Sequence, residues 1–177
     1  MRYEAPETLK SAVTLLAKEK GQAFVLAGGT DLLVKMKGGF LEPDLVVDIK
    51  RIKGVVDIAK SATGFRIGAA VPGVQLGENA ALVKAWPGVV EGANLIGSKQ
   101  VQGRASAGGN LCNGSPAGDS VPALVAAGAV VTVQGPNGRR ELKVEDVPAG
   151  PGRTNLKPGE ILVSIKLPPR LPGSSDA

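Results

Sequence analysis

The sequence predicts an α+β fold, and three observations carry that expectation. Helical and strand patterns alternate through the first fifty residues. From residue 55 the strand patterns come in neighbouring pairs around turn residues. Apolar residues are plentiful, yet almost none are aromatic: 43% of the 177 residues are hydrophobic and 3% aromatic. The core is therefore expected to rest on Val, Ile, Leu and Ala. A chain of this length buries about 70% of its unfolded surface, enough for a real core in a single domain.

Residues 7–20, "ETLKSAVTLLAKEK", read as an amphipathic helix. Leu9, Val13, Leu16 and Ala17 recur at helical spacing, Pro6 precedes them and Gly21 stops the pattern. "AFVLAGGTDLLVKMKGG" reads as strand, glycine turn and helix, with Thr30 as the N-cap and Leu32, Leu33 and Met36 as the apolar face. "DLVVDI" at 44–49 is a second buried strand, so the segment resembles a small helix–strand–helix–strand unit with parallel strands. "GVVDIAKSATGFRIGAA" reads as two strands around a turn at Ser61–Gly64. A helical region covers roughly 74–97, interrupted near Pro87 and Gly88. "SVPALVAAGA" is a short helix, and "VVTVQGPNGRREL" a hairpin with a Gly-Pro-Asn-Gly turn. "GEILVSIKLP" at 159–168 is the last strand, and 169–177, "PRLPGSSDA", reads as a linker or frayed end.

Composition narrows the chemistry. There is no histidine, which removes the commonest general base and metal ligand. A single cysteine, Cys112, leaves no internal disulfide framework, no ordinary zinc site and no iron–sulfur cluster of the chain's own. A lone thiol fits a reducing cytoplasm, and a cytoplasmic location is expected. The net charge is +5, but Lys and Arg are scattered. Only Lys50, Arg51 and Lys53 approach a cluster, and no aromatic residues interleave with them as stacking platforms. Nucleic acid is not the expected partner. No apolar run approaches the ~20 residues of a membrane span, and the N-terminus lacks a signal-peptide pattern.

Glycine is the unusual feature, at 25 residues against an ordinary usage of about 7%. With no collagen period and no low-complexity tract, these glycines are placed for backbone geometry or close approach. Two bare segments stand out. Ala27-Gly28-Gly29-Thr30-Asp31 leaves a strand and opens a helix, where free N–H groups and the helix dipole favour an anion. It follows neither the P-loop nor the spaced-glycine dinucleotide pattern. Asp31 suits ligand hydroxyls or a first-turn carboxylate better than a phosphate. A tight turn with no ligand is the other reading of this segment. The second is the loop Ser106-Ala107-Gly108-Gly109-Asn110, extended by Ser115 and Asp119. Its successive amides, small side chains and short hydroxyls suit a surface that lies flat against a pyrophosphate or a ribityl chain. Asp119 either serves a ligand or caps the helix that follows. Cys112 reads as a small buried hydrophobe, the alternative being a thiol near the ligand. Together, the two segments suggest a diphosphate held between backbone amides with no cationic side chain.

"AGGTDLL" at 27–33 followed by "GSKQVQGRASAGGNLCNGSPAGDS" at 97–120 resembles the FAD-binding (medium) subunit of the molybdenum hydroxylases, the group of xanthine dehydrogenase, carbon monoxide dehydrogenase and 4-hydroxybenzoyl-CoA reductase. The later "PGEILVSIKLP" agrees, and the likeness runs from residue 1 to about 168. The family often has Thr where Ser106 or Ala107 stands and another residue at Arg104, departures that leave the backbone argument intact. The cysteine-rich insertion of the 4-hydroxybenzoyl-CoA reductase branch is missing, which points away from that branch. Members continue beyond the point where this sequence ends in "LPGSSDA", so a chain cut before a C-terminal part is expected.

The resemblance implies the two-subdomain FAD-binding fold of the p-cresol methylhydroxylase type: a small, mostly parallel sheet with helices, then a larger mixed or antiparallel sheet with helices. Residues 1–54 and 55–168 would be the subdomains. It implies that Leu26, Ala27, Gly28, Gly29, Thr30, Asp31 and Leu32 wrap the FAD pyrophosphate from one side. Ser106, Ala107, Gly108, Gly109 and Asn110 hold it from the other. Asp119 accepts from FAD hydroxyls and Ser115 adds a short hydroxyl. Ile96 and Gly97 line the adenine side, and Ile161 and Leu162 pack on the flavin or its chain. No catalytic side chain and no metal are implied in this chain. The molybdenum cofactor would belong to a large partner subunit and two [2Fe–2S] clusters to a small one, in a heterohexamer of the family type. The implied function is electron passage from those clusters through FAD to an acceptor. A free-standing FAD oxidoreductase and a non-catalytic nucleotide-binding module are the alternatives.

Overall fold

The computed structural model describes residues 1–175. Its first fifty residues build a three-stranded parallel sheet from β1 (Arg2–Glu4), β2 (Ala23–Leu26) and β3 (Leu45–Asp48), in the order β1-β3-β2. Val46 stands level with Tyr3 on one side and Phe24 on the other. All four residues of β3 are buried, because a central parallel strand covered on both faces needs a continuous apolar run. β1 went unread in the sequence: three residues with only half-buried or exposed side chains carry no period.

Helix α1 (Leu9–Lys18) leads from β1 to β2 and turns Ala12 and Val13 into the core. Thr8 caps it, accepting from the Ser11 amide at 3.1 Å. Helix α2 (Leu32–Lys37) leads from β2 to β3. Leu32 and Met36, one helical repeat apart, are half-buried, whereas Leu33 is 45% exposed. The expected three-residue face is thus two residues wide. Asp31, not Thr30, takes the cap position, and its carboxylate makes no cap bond.

The rest of the chain forms a five-stranded antiparallel sheet: β4 (Ile58–Ser61), β5 (Gly64–Gly68), β6 (Val130–Gly135), β7 (Gly138–Lys143) and β10 (Ile161–Leu167), with β8 (Pro148–Gly150) and β9 (Arg153–Thr154) as a separate small ribbon. The order β4-β5-β10-β6-β7 places the last strand between the two hairpins. Six of its seven residues are buried, only Lys166 facing solvent. Helices α3 (Gly73–Glu78), α4 (Ala80–Ala85), α5 (Pro87–Asn94), α6 (Lys99–Gln102), α7 (Ala107–Asn113) and α8 (Ser120–Ala126) fill the stretch between β5 and β6. The helical region read at 74–97 is three short helices. Asn79 caps the second, accepting from the Leu82 amide at 3.0 Å, and Pro87 opens the third.

The two sheets share one core. Leu45 and Val47 of β3 belong to the same buried cluster as Val131 of β6 and Ile165 of β10. Near the C-terminal end the Arg170 guanidinium lies over the Trp86 ring, 5.3 Å from its centroid. No helix among the described residues is long and apolar enough to cross a membrane.

One correction bears on the site. Ser106–Asn110, read as a loop, is the capped first turn of α7. Ser106 is its N-cap and its hydroxyl oxygen accepts from the Gly109 amide at 3.1 Å. Two adjacent glycines hide a helix from any propensity argument; the Ser cap was the available signal.

Candidate functional site

A cleft of about 270 Å³ lies where the two glycine segments meet. The first segment follows β2 and the second opens α7. Gly28 is pressed against the chain just ahead of the second: a Cβ there would collide with the Arg104 carbonyl. Gly108 is pressed in the same way against the backbone of Ala69. Both glycines are therefore required by the protein's own packing, and the Gly28 contact brings the first segment against the chain leading into the second.

Two other glycines shape the cleft, and a Cβ on Gly29 would press on the Leu26 and Leu33 side chains. Gly29 adopts φ +83°, a conformation that favours glycine. A Cβ on Gly109 would meet only the Ser106 Oγ at 3.0 Å and the Ala27 Cβ at 3.9 Å. The amides of Gly28, Gly29, Thr30 and Asp31, and those of Ala107 and Gly108, donate to no acceptor among the described residues. The amides of Gly109 and Asn110 are committed to Ser106. The segments thus offer free donors from two directions.

Most residues singled out in the sequence line this cleft: Leu26, Ala27, Gly28, Gly29, Thr30, Asp31, Leu32, Ile96, Ser106, Gly108, Gly109, Asn110, Ile161 and Leu162. Ile161 and Leu162 are 1% and 4% exposed, so they form its floor. Four lie outside the lining. Gly97 sits in an exposed turn at φ +58°. Ala107 is turned into the core. The Ser115 hydroxyl accepts from the Ala117 amide at 3.2 Å. Asp119 is exposed ahead of α8, where its carboxylate makes no cap bond.

The sequence reading missed a polar bridge at the mouth. Asn113 of α7 donates to the Asp31 carboxylate at 3.0 Å and accepts from the Lys35 ammonium at 2.8 Å. All three line the cleft, so the bridge ties α2 to α7 across it. The second Asn of "GGNLCNG" was its only trace in the sequence. Glu160 closes another edge. Arg140 holds it with two bonds of 2.8 and 2.7 Å, and the Lys157 amide donates at 2.7 Å. The Arg140 guanidinium keeps the Glu160 carboxyl below the usual range. Cys112 also lines the cleft, and burial pushes its thiol up to about 12. It is a neutral, small apolar group at neutral pH and not a nucleophile.

These residues suit a dinucleotide diphosphate: unpaired amides face it, bare glycines admit it, and the nearly buried Glu160 carboxylate on the lining is paired with Arg140. Pockets for drug-sized ligands run to about 300–1,000 Å³, so this cleft takes the diphosphate and its immediate neighbours, with the rest of such a ligand extending along the surface.

Comparison with known proteins agrees. The family described as "FAD binding domain in molybdopterin dehydrogenase" matches residues 1–170. The carbon monoxide dehydrogenase medium chain of Hydrogenophaga pseudoflava is 33% identical over 166 residues, 94% of this chain and 58% of that one. The xanthine dehydrogenase FAD-binding subunit of Escherichia coli O157:H7 is 32% identical over 169 residues, 95% of this chain and 58% of that subunit. Among solved structures, carbon monoxide dehydrogenase from Hydrogenophaga pseudoflava superposes with a TM-score of 0.93 at 32% identity, over 98% of this chain and 60% of that one. Quinoline 2-oxidoreductase from Pseudomonas putida 86, at 24% identity and a TM-score of 0.90, shares the fold. The chain spans somewhat under two thirds of the length of these relatives.

Proposed function

This chain belongs to the family of FAD-binding domains of molybdopterin dehydrogenases, and on that premise we propose that its cleft grips FAD by the diphosphate between two sets of backbone amides. The observation that supports this most is the meeting of Gly28 and Gly108 at one cleft, each locked by contact with backbone. Bound there, FAD supplies the redox chemistry, carrying electrons from iron–sulfur clusters of a small partner subunit, downstream of a molybdenum-cofactor subunit, to an acceptor.

The chain's own part is binding and orientation. Gly28 to Asp31 donate from one side, Ala107 and Gly108 from the other. The gap left by Gly109 lets the ligand approach the backbone. Ile161 and Leu162 give the floor an aliphatic surface in place of aromatic rings, and Ile96 gives the wall beyond the diphosphate its apolar surface. Thr30 supplies a hydroxyl at the mouth, and Asp31 acts through its bridge to Asn113. Asp119, exposed ahead of α8, serves the ligand's outer end beyond the cleft, as do Ser115 and Gly97.

We read residues 1–54 and 55–168 as two subdomains whose junction is this site, and the chain as the flavin-carrying member of a complex with a large molybdenum subunit and a small [2Fe–2S] subunit, arranged as a heterohexamer. The names of the relatives as medium chain and FAD-binding subunit support that reading.

Equilibrating the purified 177-residue chain with FAD, removing free ligand and recording the visible spectrum tests the cofactor assignment. A yellow protein that releases FAD on denaturation is expected. A colourless protein, or retention of FMN in preference to FAD, overturns it.

A further inference from the structure

Of the three cations that come nearest to a cluster in the sequence, Arg51 and Lys53 are exposed and Lys50 turns inward. The Lys50 ammonium donates to both carboxylate oxygens of Asp48 at 2.8 Å and to the carbonyl of Ala27 at 2.9 Å. Asp48, at the end of β3, is 7% exposed. It also accepts from the Tyr3 hydroxyl at 2.7 Å and from the Lys50 amide at 3.0 Å. Tyr3, Asp48 and Lys50 therefore form a chain of hydrogen bonds that ends on the first residue of the glycine turn. Burial raises the Asp48 pKa, but the bonds from Lys50 and Tyr3 outweigh it and leave the carboxyl below its usual value.

Lys50 does not line the cleft, whereas Ala27 and Gly28 do. A trans peptide carries its C=O and N–H on opposite edges of one plane. Anchoring the Ala27 carbonyl on Lys50 therefore turns the Gly28 N–H away from Lys50, and that N–H has no acceptor among the described residues. A cation at the carbonyl end also polarises the peptide and strengthens its N–H as a donor.

From this juxtaposition we propose that Lys50 is a positioning residue for the ligand's diphosphate, fixing the Ala27–Gly28 peptide with its N–H presented to the phosphate oxygens without touching them itself. The proposal rests on the reading of the cleft as a diphosphate site.

The test compares the 177-residue chain with Lys50→Met and with the double variant Asp48→Asn/Lys50→Met, which leaves no unpaired buried carboxylate. FAD affinity, the apo melting temperature and the ³¹P resonances of bound FAD are measured for each. Both variants are expected to bind FAD about tenfold more weakly, with shifted diphosphate resonances and an unchanged flavin visible spectrum. Affinity within twofold of the parent in either variant overturns the role of Lys50, and so do unmoved ³¹P resonances. Recovery of full affinity in the double variant overturns it too, because the defect would then belong to an unpaired Asp48. If the parent chain itself binds no FAD, the cofactor assignment falls first and this proposal with it.

Discussion

The two glycine segments reach the same cleft by different constructions. Gly28–Asp31 is irregular backbone between β2 and α2, held from behind by the Lys50 bond to Ala27 and from the side by contact of Gly28 with Arg104. Ser106–Asn110 is the start of a helix, held by its own Ser106 cap and by contact of Gly108 with Ala69. The first depends on a long-range polar network, the second on local helix geometry and close packing. The difference teaches that glycine does two separate jobs here. Gly28 and Gly108 let backbone meet backbone, while Gly109 leaves space on the cleft side that few protein atoms fill.

That division predicts a graded set of outcomes. The largest belongs to the packing glycines. Gly28→Ala or Gly108→Ala puts a methyl group into a carbonyl or backbone contact, and overpacking of this kind costs about 1–3 kcal/mol. At this chain length each kcal/mol lowers Tm by roughly 2–4 °C. Thermal melts should show that loss in the ligand-free chain, together with loss of FAD. A methyl at either site that leaves Tm unchanged would erase the distinction between the two classes of glycine.

Gly109→Val separates the classes from the other side. Its Cβ would stand 3.0 Å from the Ser106 Oγ and the rest of the side chain would enter the cleft, so FAD retention should fall as backbone approach is blocked. Stability should fall by about 1 kcal/mol, the size of a helix cap, because the Ser106 Oγ that caps α7 must give way. Flavin content after gel filtration, beside a melt of the same sample, reads both. Unchanged flavin content would place the diphosphate elsewhere.

The ion pair at the cleft edge gives a smaller effect with a defined sign. The bonds from Arg140 hold the Glu160 carboxyl below its ordinary value. A carboxyl lowered on folding stabilises the protein above its unfolded pKa, and that stability is lost as pH falls through the folded value. Glu160→Gln should flatten the acid limb of the stability curve and lower the neutral-pH Tm by roughly 2–4 °C, taking about 1 kcal/mol for such a pair. Melts across pH 3–7 check this.

Smallest is the bridge at the mouth. Asp31 and Lys35 are exposed and Asn113 is half-buried, so Asn113→Ala should change stability by no more than about 0.5 kcal/mol. Its expected effect is a roughly threefold weaker FAD affinity, through lost pre-organisation of the two segments. Titration of the variant with FAD, followed by flavin fluorescence, measures it.

Much of this was legible in the sequence, and the limits have physical causes. β3 and β10 announced themselves because buried strands need unbroken apolar runs, and "LVVD" and "ILVSI" supply them. The first glycine turn was legible because a strand pattern led into it and a helix pattern led out. The helix at 107–113 was not, since its glycines carry no helical preference and its cap is a single serine. The Asn113 bridge and the Lys50 network were beyond reach for another reason. Lys50 to Ala27 and Asn113 to Asp31 are contacts between residues far apart in the chain, set by the packing of the sheets, and no local pattern encodes them. Cys112 was legible in kind, as a small apolar group, though not in its place on the cleft wall.

The central claim is that both glycine segments hold one diphosphate at the same time. Titrating the ¹⁵N-labelled chain with FAD and following backbone amide resonances tests it most directly. Gly28, Gly29 and Gly108 should shift together along a single binding isotherm. FAD bound with one segment shifted and the other unmoved, or the two shifting at different FAD concentrations, would contradict it.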